Sequence, residues 1–320
     1  GALPYLFNNL EILKMSKYTE EIQKTADIII DQMKEHGSDW SKSWITTGLG
    51  VPMNATTKKP YRNSNVWTLL FAMSKNGWTS NQFVTWNQAC QHAGLKRDKN
   101  KRWIKEEGKG IKKEEATNYT KILFFKSDVK ENKETGKKEK TGFWITYNVY
   151  NLDQTEGLDH LVETVEVPDK ATTIENVQEF IDNCQANIKF GGDQAFYRPS
   201  EDYIQMPNMD RFNDSYGYYS TMLHELVHWT KKEGRSSRPQ SSNKSEYAFE
   251  ELVAETGSAL LCVMLGIENE PRPDHAKYLN SWIKAIKDNP KVIQQAFSQS
   301  QKAIDYLYSL QEEQELALVA

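Results

Sequence analysis

His224-Glu225-Leu226-Val227-His228 places two imidazoles four residues apart, with a carboxylate beside the first. On a helix that spacing is about one turn, so both rings face the same way and can chelate one Zn2+. The glutamate between them is then placed as general base toward a water at the ion's open position. The flanks favour a helix. Residues 218–223 run without Gly or Pro, and Gly234 stands where a C-terminal cap is expected. The plain alternative is a surface helix with incidental histidines, but the chain has only six and two fall here.

A catalytic zinc site takes three protein ligands and leaves a fourth position open. Glu251 follows His228 within a second apolar-periodic stretch, Tyr247 to Leu265, stopped by Gly266. Glu251 and Glu255 are four apart and share a helix face. This resembles the gluzincin pattern, in which a Glu ligand is followed four residues later by a carboxylate that orients a metal-bound His. The resemblance implies Glu251 as third ligand and Glu255 as the orienting carboxylate, with one Zn2+ per chain. Glu250 lies about 100° round the helix and is expected to face solvent or to act as a hydrogen-bond partner. An ordinary acidic helix face is the competing account.

The elements that must position these residues fall in a chain of 320 residues, long enough for two domains with their own cores. No stretch approaches the ~18 apolar residues of a membrane span, and the first residues do not read as a cleavable leader. Residues 1–14 precede a plausible initiator, Met15, and stay outside the fold argument. Cys90, Cys184 and Cys262 are odd in number and far apart. They read as buried small hydrophobes in a reducing compartment, so a cytoplasmic location is expected. The net charge of −4 hides a division: residues 1–155 carry +8 and residues 156–320 carry −12. Seven of the nine tryptophans lie in the basic half. That asymmetry points the first half toward nucleic acid, though a solvated lysine-rich surface has the same composition.

Periodicity predicts an amphipathic helix over Tyr18–Glu35, a helix over Ser64–Lys75, a short strand at Gln82–Val84 and a Thr85-capped helix to Ala93. Lys121–Lys126 and Phe143–Tyr150 read as strands, joined by a charged connection, Asp128–Thr141, taken as a mobile tip. Trp67, at helical spacing with Leu70 and Phe71, belongs to a core. Residues 155–173 are acidic and unpatterned. The expected division is therefore a first domain at 15–155, a linker at 156–172 and a second domain at 173–320. In the second, a helix near Ile174–Cys184 precedes three short strands, Ile188–Phe190, Ala195–Tyr197 and Tyr203–Met206. Resemblance to zincin-like domains implies that they form a small antiparallel sheet before the zinc helix, with Tyr203–Met206 as the candidate edge for pairing an extended peptide. Two closing helices, near Asp274–Lys287 and Lys291–Leu310, supply core. The fold class is α+β.

Single-strand binders combine cations with aromatic faces on which bases stack. Lys58-Lys59-Pro60-Tyr61-Arg62, Trp86, and Lys96-Arg97 with Lys101-Arg102-Trp103 are the stretches with that composition, and Tyr61 and Trp103 are expected as exposed rings. Several longer motifs carry a resemblance. In the first half they are Pro52-Met53-Asn54-Ala55, Lys59-Pro60-Tyr61-Arg62-Asn63-Ser64-Asn65-Val66, Phe83-Val84-Thr85-Trp86-Asn87-Gln88-Ala89 and Tyr147-Asn148-Val149-Tyr150-Asn151-Leu152-Asp153-Gln154. In the second half they are His224 to Thr230, Tyr247 to Glu255 and Tyr278-Leu279-Asn280-Ser281-Trp282. From Tyr18 to Leu310 the chain resembles ArdC-type antirestriction proteins and the related N-terminal region of conjugative primases. The resemblance departs at Asn63 and Lys231, where the family usually has Gly, and in the stretched, charged segment 96–120.

The resemblance implies a mixed α/β single-stranded-DNA-binding domain, a zincin-like metallopeptidase domain, and protection of incoming plasmid or phage DNA. DNA contacts are then expected at Lys58, Lys59, Tyr61, Arg62, Asn65, Arg97, Lys101, Arg102 and Trp103. The zinc-dependent hydrolase would act, through Glu225, on a host restriction enzyme or a DNA-attached protein. Tyr216, Tyr218, Tyr247 and His275 remain open as oxyanion donors. The rival reading is a non-catalytic protein that coats single strands, its zinc purely structural. A zinc nuclease is disfavoured, because such sites favour carboxylate-rich two-metal clusters.

Overall fold

The computed structural model describes residues 9–42, 49–131, 138–163, 168–239, 241–269 and 276–319. Trp44, the tip at 132–137 and His275 lie outside the described residues. By contact the chain forms two units that interleave along the sequence. The first comprises residues up to Asp27, Met53–Lys59 and Gln82–Val162; the second comprises Ile28–Pro52, Pro60–Asn81 and residues from Glu163 onward. Helix α1 (Asn9–His36) runs through the boundary, burying the expected stripe of Ile22, Ala26, Ile29, Ile30 and Met33.

The first unit is built on a four-stranded sheet in the order β1-β2-β5-β4. Its strands are β1 (Met53–Asn54), β2 (Gln82–Thr85), β4 (Thr120–Glu131) and β5 (Lys138–Asn151). β1 pairs in parallel with β2, and the other pairs are antiparallel. Thr85 caps α3 (Trp86–His92) through a capping box with Gln88, fixing that helix at the end of β2. The core gathers Ala55, Val84, Ala89, Cys90 and Leu152, with Trp86 and Trp103 packed against it.

Two expectations are revised here. The β4–β5 ladder continues from Thr120↔Val149 to Glu131↔Lys138, so Asp128–Glu131 and Lys138–Thr141 are strand. Pairing satisfies the backbone whatever the side chains are, which composition does not reveal. The stretch read as a linker begins instead as β6 (Thr155–Glu156), paired antiparallel with β3 (Gly110–Ile111). Leu158 and Leu161 then bury themselves in the first unit's core.

The second unit contains α2 (Ser64–Asn76), α4 (Lys170–Asn183), α5 (Ser215–Trp229), α6 (Lys244–Leu265), α7 (Leu279–Asp288) and α8 (Lys291–Val319). Trp67 of α2 stacks on Phe297 of α8, with ring centroids 5.1 Å apart. The Trp282 indole donates to the Ala248 carbonyl at 2.6 Å, tying α7 to α6. A three-stranded sheet has the order β7-β9-β8, formed by β7 (Ile188–Phe190), β8 (Phe196–Arg198) and β9 (Tyr203–Met206). It is mixed, because β7 pairs in parallel with β9 and only β8 pairs antiparallel. Tyr203–Met206, expected at the edge, is the central strand, and β7 and β8 take the two edges. The burial of Tyr203, Ile204 and Met206 fits a central strand.

Asp202, in the β8–β9 turn, grips the Arg235 guanidinium through two 2.8 Å contacts, and Arg235 lies over Trp229 at the end of α5. The sheet is thereby fastened to the helix that carries the histidines. Cys90, Cys184 and Cys262 are buried and unbridged. Among the described residues, no helix is long and apolar enough to cross a membrane.

Candidate metal centre and substrate cleft

α5 begins at Asp214, whose carboxylate accepts the Gly217 N–H at 2.8 Å. Every residue from Tyr218 to Val227 is buried, so His224 and Glu225 open inside the unit. α6 packs beside α5 and begins with an Asn243 cap. One ligand atom each from His224, His228 and Glu251 lies within 4.8 Å of the others. The two Nε2 atoms are 3.1 Å apart, and Glu251 oxygens stand 3.5 Å from His224 Nε2 and 3.6 Å from His228 Nε2. Ligands ~2.05 Å from a tetrahedral ion stand about 3.4 Å from one another, so the two Nε2 atoms and the two oxygens of the Glu251 carboxylate have the spacing of a single-ion chelate.

Burial lowers the pKa of His228, but the carboxylates of Glu251 and Glu250 outweigh it and push the imidazole up to about 10. Burial would raise Glu251; His228 and His224 hold it well below the usual carboxylate range instead. Two imidazoles and an ionised carboxylate form the donor set of a divalent cation site.

Glu250 also makes contacts that sequence left open. It is buried, and its Oε1 accepts from His228 Nδ1 at 3.1 Å, which directs Nε2 toward Glu251. The buried Arg238 guanidinium clamps Glu250 through Nε at 3.0 Å and Nη2 at 2.8 Å, and also donates to the Val227 carbonyl. Glu255 Oε2 stands 4.0 Å from His224 Nδ1, and its Oε1 accepts from Ser41 at 3.3 Å. Ser41 in turn accepts from Asn269 at 3.1 Å.

A cleft of about 1160 Å3 opens beside the ligand trio. Glu225, His228 and Glu251 line it, as do Phe196 and Tyr197 of the edge strand β8. Tyr247 lines it as well, and burial together with the Glu251 carboxylate holds its phenol well above the ordinary value, keeping it a hydroxyl donor. Tyr218 is buried edge-on against Tyr219, and Tyr216 lies under Lys170, so neither faces the cleft. Tyr278 joins Tyr247 in the lining, a residue the sequence reading passed over as part of a motif.

Of the positions expected to contact DNA, Lys58 and Lys59 lie in the first unit; Tyr61, Arg62 and Asn65 lie in the second. Lys58 Nζ donates to the Leu161 carbonyl at 3.1 Å, and Arg62 is paired with Asp305. Arg97, Lys101, Arg102 and Trp103 do gather on one loop of the first unit. There Arg97 covers the Trp103 ring at 4.1 Å, while Trp103 Nε1 donates to Asn87. The more exposed rings were missed: Phe124 and Tyr147 meet edge-to-face on the β4–β5 ladder at 53% and 45% exposure. The available signal was an aromatic-rich strand pair whose alternation leaves aromatics on both faces.

Residues 19–151 match the family described as the N-terminal domain of anti-restriction factor ArdC, and residues 175–299 match the zincin-like metallopeptidase family. An uncharacterized protein of Sinorhizobium fredii is 27% identical over 304 residues, covering 92% of this chain and 93% of the relative. The DNA primase TraC of Escherichia coli is 30% identical over 313 residues, which is 91% of this chain and 27% of that primase. The metal-free crystal structure of the antirestriction ArdC protein from plasmid R388 superposes with a TM-score of 0.69 at 28% identity, covering 90% of this chain and 97% of that one. The Mn(II)-bound structure of the same protein gives 0.67.

Proposed function

Because the chain belongs to the ArdC family of antirestriction proteins, carrying its N-terminal domain and a zincin-like domain, we propose that it binds single-stranded DNA and hydrolyses peptide bonds at a zinc centre. The proposed ligands are His224, His228 and Glu251, with Glu225 as catalytic base. A divalent ion held there supplies Lewis-acid polarisation of a scissile carbonyl and of the attacking water. Glu225 takes the water's proton and passes it to the leaving amine. Tyr247 donates to the carbonyl oxygen as negative charge develops on it. Glu250, fixed by Arg238, holds His228 in the tautomer that leaves Nε2 for the ion. The edge of β8 pairs with an extended peptide along the cleft.

The observation that carries this reading is a chelate-spaced ligand trio beside Glu225, opening on a substrate-sized cleft. A purely structural ion has no use for an open cleft or a base. The first unit's share rests on Phe124 and Tyr147, two exposed rings for base stacking, with Lys59, Lys101, Arg102 and Lys126 exposed for phosphates. The host restriction enzyme or a DNA-attached protein is the proposed peptide substrate.

The test compares the metal-loaded full chain with Glu225→Gln. The variant should bind the ion as before, lose proteolysis and lose protection of incoming DNA. Full protection by Glu225→Gln would overturn the peptidase reading in favour of single-strand coating. Single-strand affinity indifferent to salt would remove phosphate contact from the account.

A further inference from the structure

Lys231 comes three residues after His228, just past the end of α5, and lines the same cleft as Glu225, His228 and Glu251. It is 6% exposed. Its ammonium donates to Ser241 Oγ at 3.0 Å, and it forms no ion pair with a described residue. Other cations of this region are already engaged: Arg238 with Glu250, Arg211 with Asp193 at 2.6 Å, Lys232 and Arg235 with Asp202, and the cleft-lining Lys277 over the Tyr278 ring. An ammonium has three donors, and burying it against a single neutral hydroxyl is costly. Ser241 also lines the cleft, so the lysine and its hydroxyl partner present hydrogen-bonding groups toward whatever occupies it.

On the reading of this cleft as a peptide site, we propose that Lys231 is a specificity determinant that anchors a carboxylate of the bound peptide, from an acidic side chain or a free C-terminus. The surroundings make the preference local. Glu225 stands on the same floor and repels an acid beside it, so the carboxylate is favoured at the peptide position that reaches Lys231. A lysine present only to balance the carboxylates of the cleft would instead act on metal binding and leave peptide choice unchanged.

The experiment uses the metal-loaded full chain carrying Glu225→Gln, which binds without cleaving. The probes are fluorescein-labelled glycine-alanine hexapeptides in which Glu, Gln or Lys is walked through each position, with free and with amidated C-termini. Fluorescence anisotropy should show Glu favoured over Gln roughly tenfold or more at one position, the range of a hydrogen bond to a charged group. A gain that appears only with the free C-terminus assigns the terminal carboxylate as the anchored group. Lys231→Met, added to this background, should erase the preference, and Lys231→Arg should retain it at equal metal content and equal Tm. Peptides bound without carboxylate preference, or a preference that survives Lys231→Met, would overturn the proposal. So would a Lys231→Met variant altered only in metal content. Failure of every peptide to bind would sink the peptide-site reading itself.

Discussion

Burial works to raise the pKa of Glu250, yet His228 and Arg238 outweigh it and hold the carboxylate at about 2. The charge is therefore fixed, and it serves two partners at once: it orients the His228 imidazole and neutralises the buried Arg238 guanidinium. Glu250→Gln keeps the shape and leaves Arg238 uncompensated. Breaking a buried pair from one side costs about 3–5 kcal/mol, and losing a partner of a ligand histidine weakens metal binding by about 10–100-fold. Urea unfolding of the metal-free protein and a metal titration should show both. Unchanged metal affinity would confine Glu250 to holding α5 against α6. His224, Glu225 and His228 were legible in local spacing, and Glu251 only through the resemblance to a family pattern; the structure brings His224, His228 and Glu251 together. Arg238 was not legible, since Arg235-Ser236-Ser237-Arg238-Pro239 has the composition of a solvated turn, and only its meeting with Glu250 accounts for its burial. Glu250 was open to a solvent-facing reading because α6 was taken as amphipathic. In fact its residues from Glu250 to Val263 are buried all round.

α6 delivers Glu251 to the imidazoles only if the two helices come close, and Gly257 is where they do. A Cβ at that position would stand 2.9 Å and 3.0 Å from the Val227 methyl carbons, one residue before His228. Valine is short and β-branched and has no flexible end to swing aside, so the helices themselves must part. Gly257→Ala should cost about 1–3 kcal/mol through overpacking, against a helix-propensity gain of about 1 kcal/mol. It should also loosen metal binding, which Val227→Ala in the same chain restores. A Gly257→Ala protein with native metal affinity would show that the approach is not needed to assemble the site. Most elements were legible from caps and periodicity, as with Thr85 before α3 and the helical spacing of Trp67, Leu70 and Phe71 in α2. Strand order was not. Tyr203–Met206 has the short, buried-looking pattern of any strand in a small sheet, and its central place follows from which neighbours flank it, something periodicity does not encode.

The largest departure from a reading by halves concerns which segments complete the metal-bearing unit. Trp40 is fully buried, Ser41 donates to Glu255, Trp67 stacks on Phe297, and Arg62 pairs with Asp305, all inside the second unit. The charge division at residue 155 suggested a cut there. Contacts joining residues 40–67 to residues 255–305 are long-range pairings, invisible to composition. A fragment beginning at residue 163 therefore lacks parts of its own core. Two tryptophans burying roughly 200 Å2 each, at ~25 cal/mol per Å2, contribute on the order of 10 kcal/mol at most, comparable with the whole stability of a domain. Such a fragment should unfold at a far lower temperature than the full chain, or bind hydrophobic dye as an expanded state. A chain beginning at residue 28, which restores α2 and the Trp40 segment, should recover cooperative melting and metal binding. Calorimetry on the two truncations decides the matter. A fragment from residue 163 that melts cooperatively at the full-length temperature would show that the zincin unit is complete without its N-terminal segments.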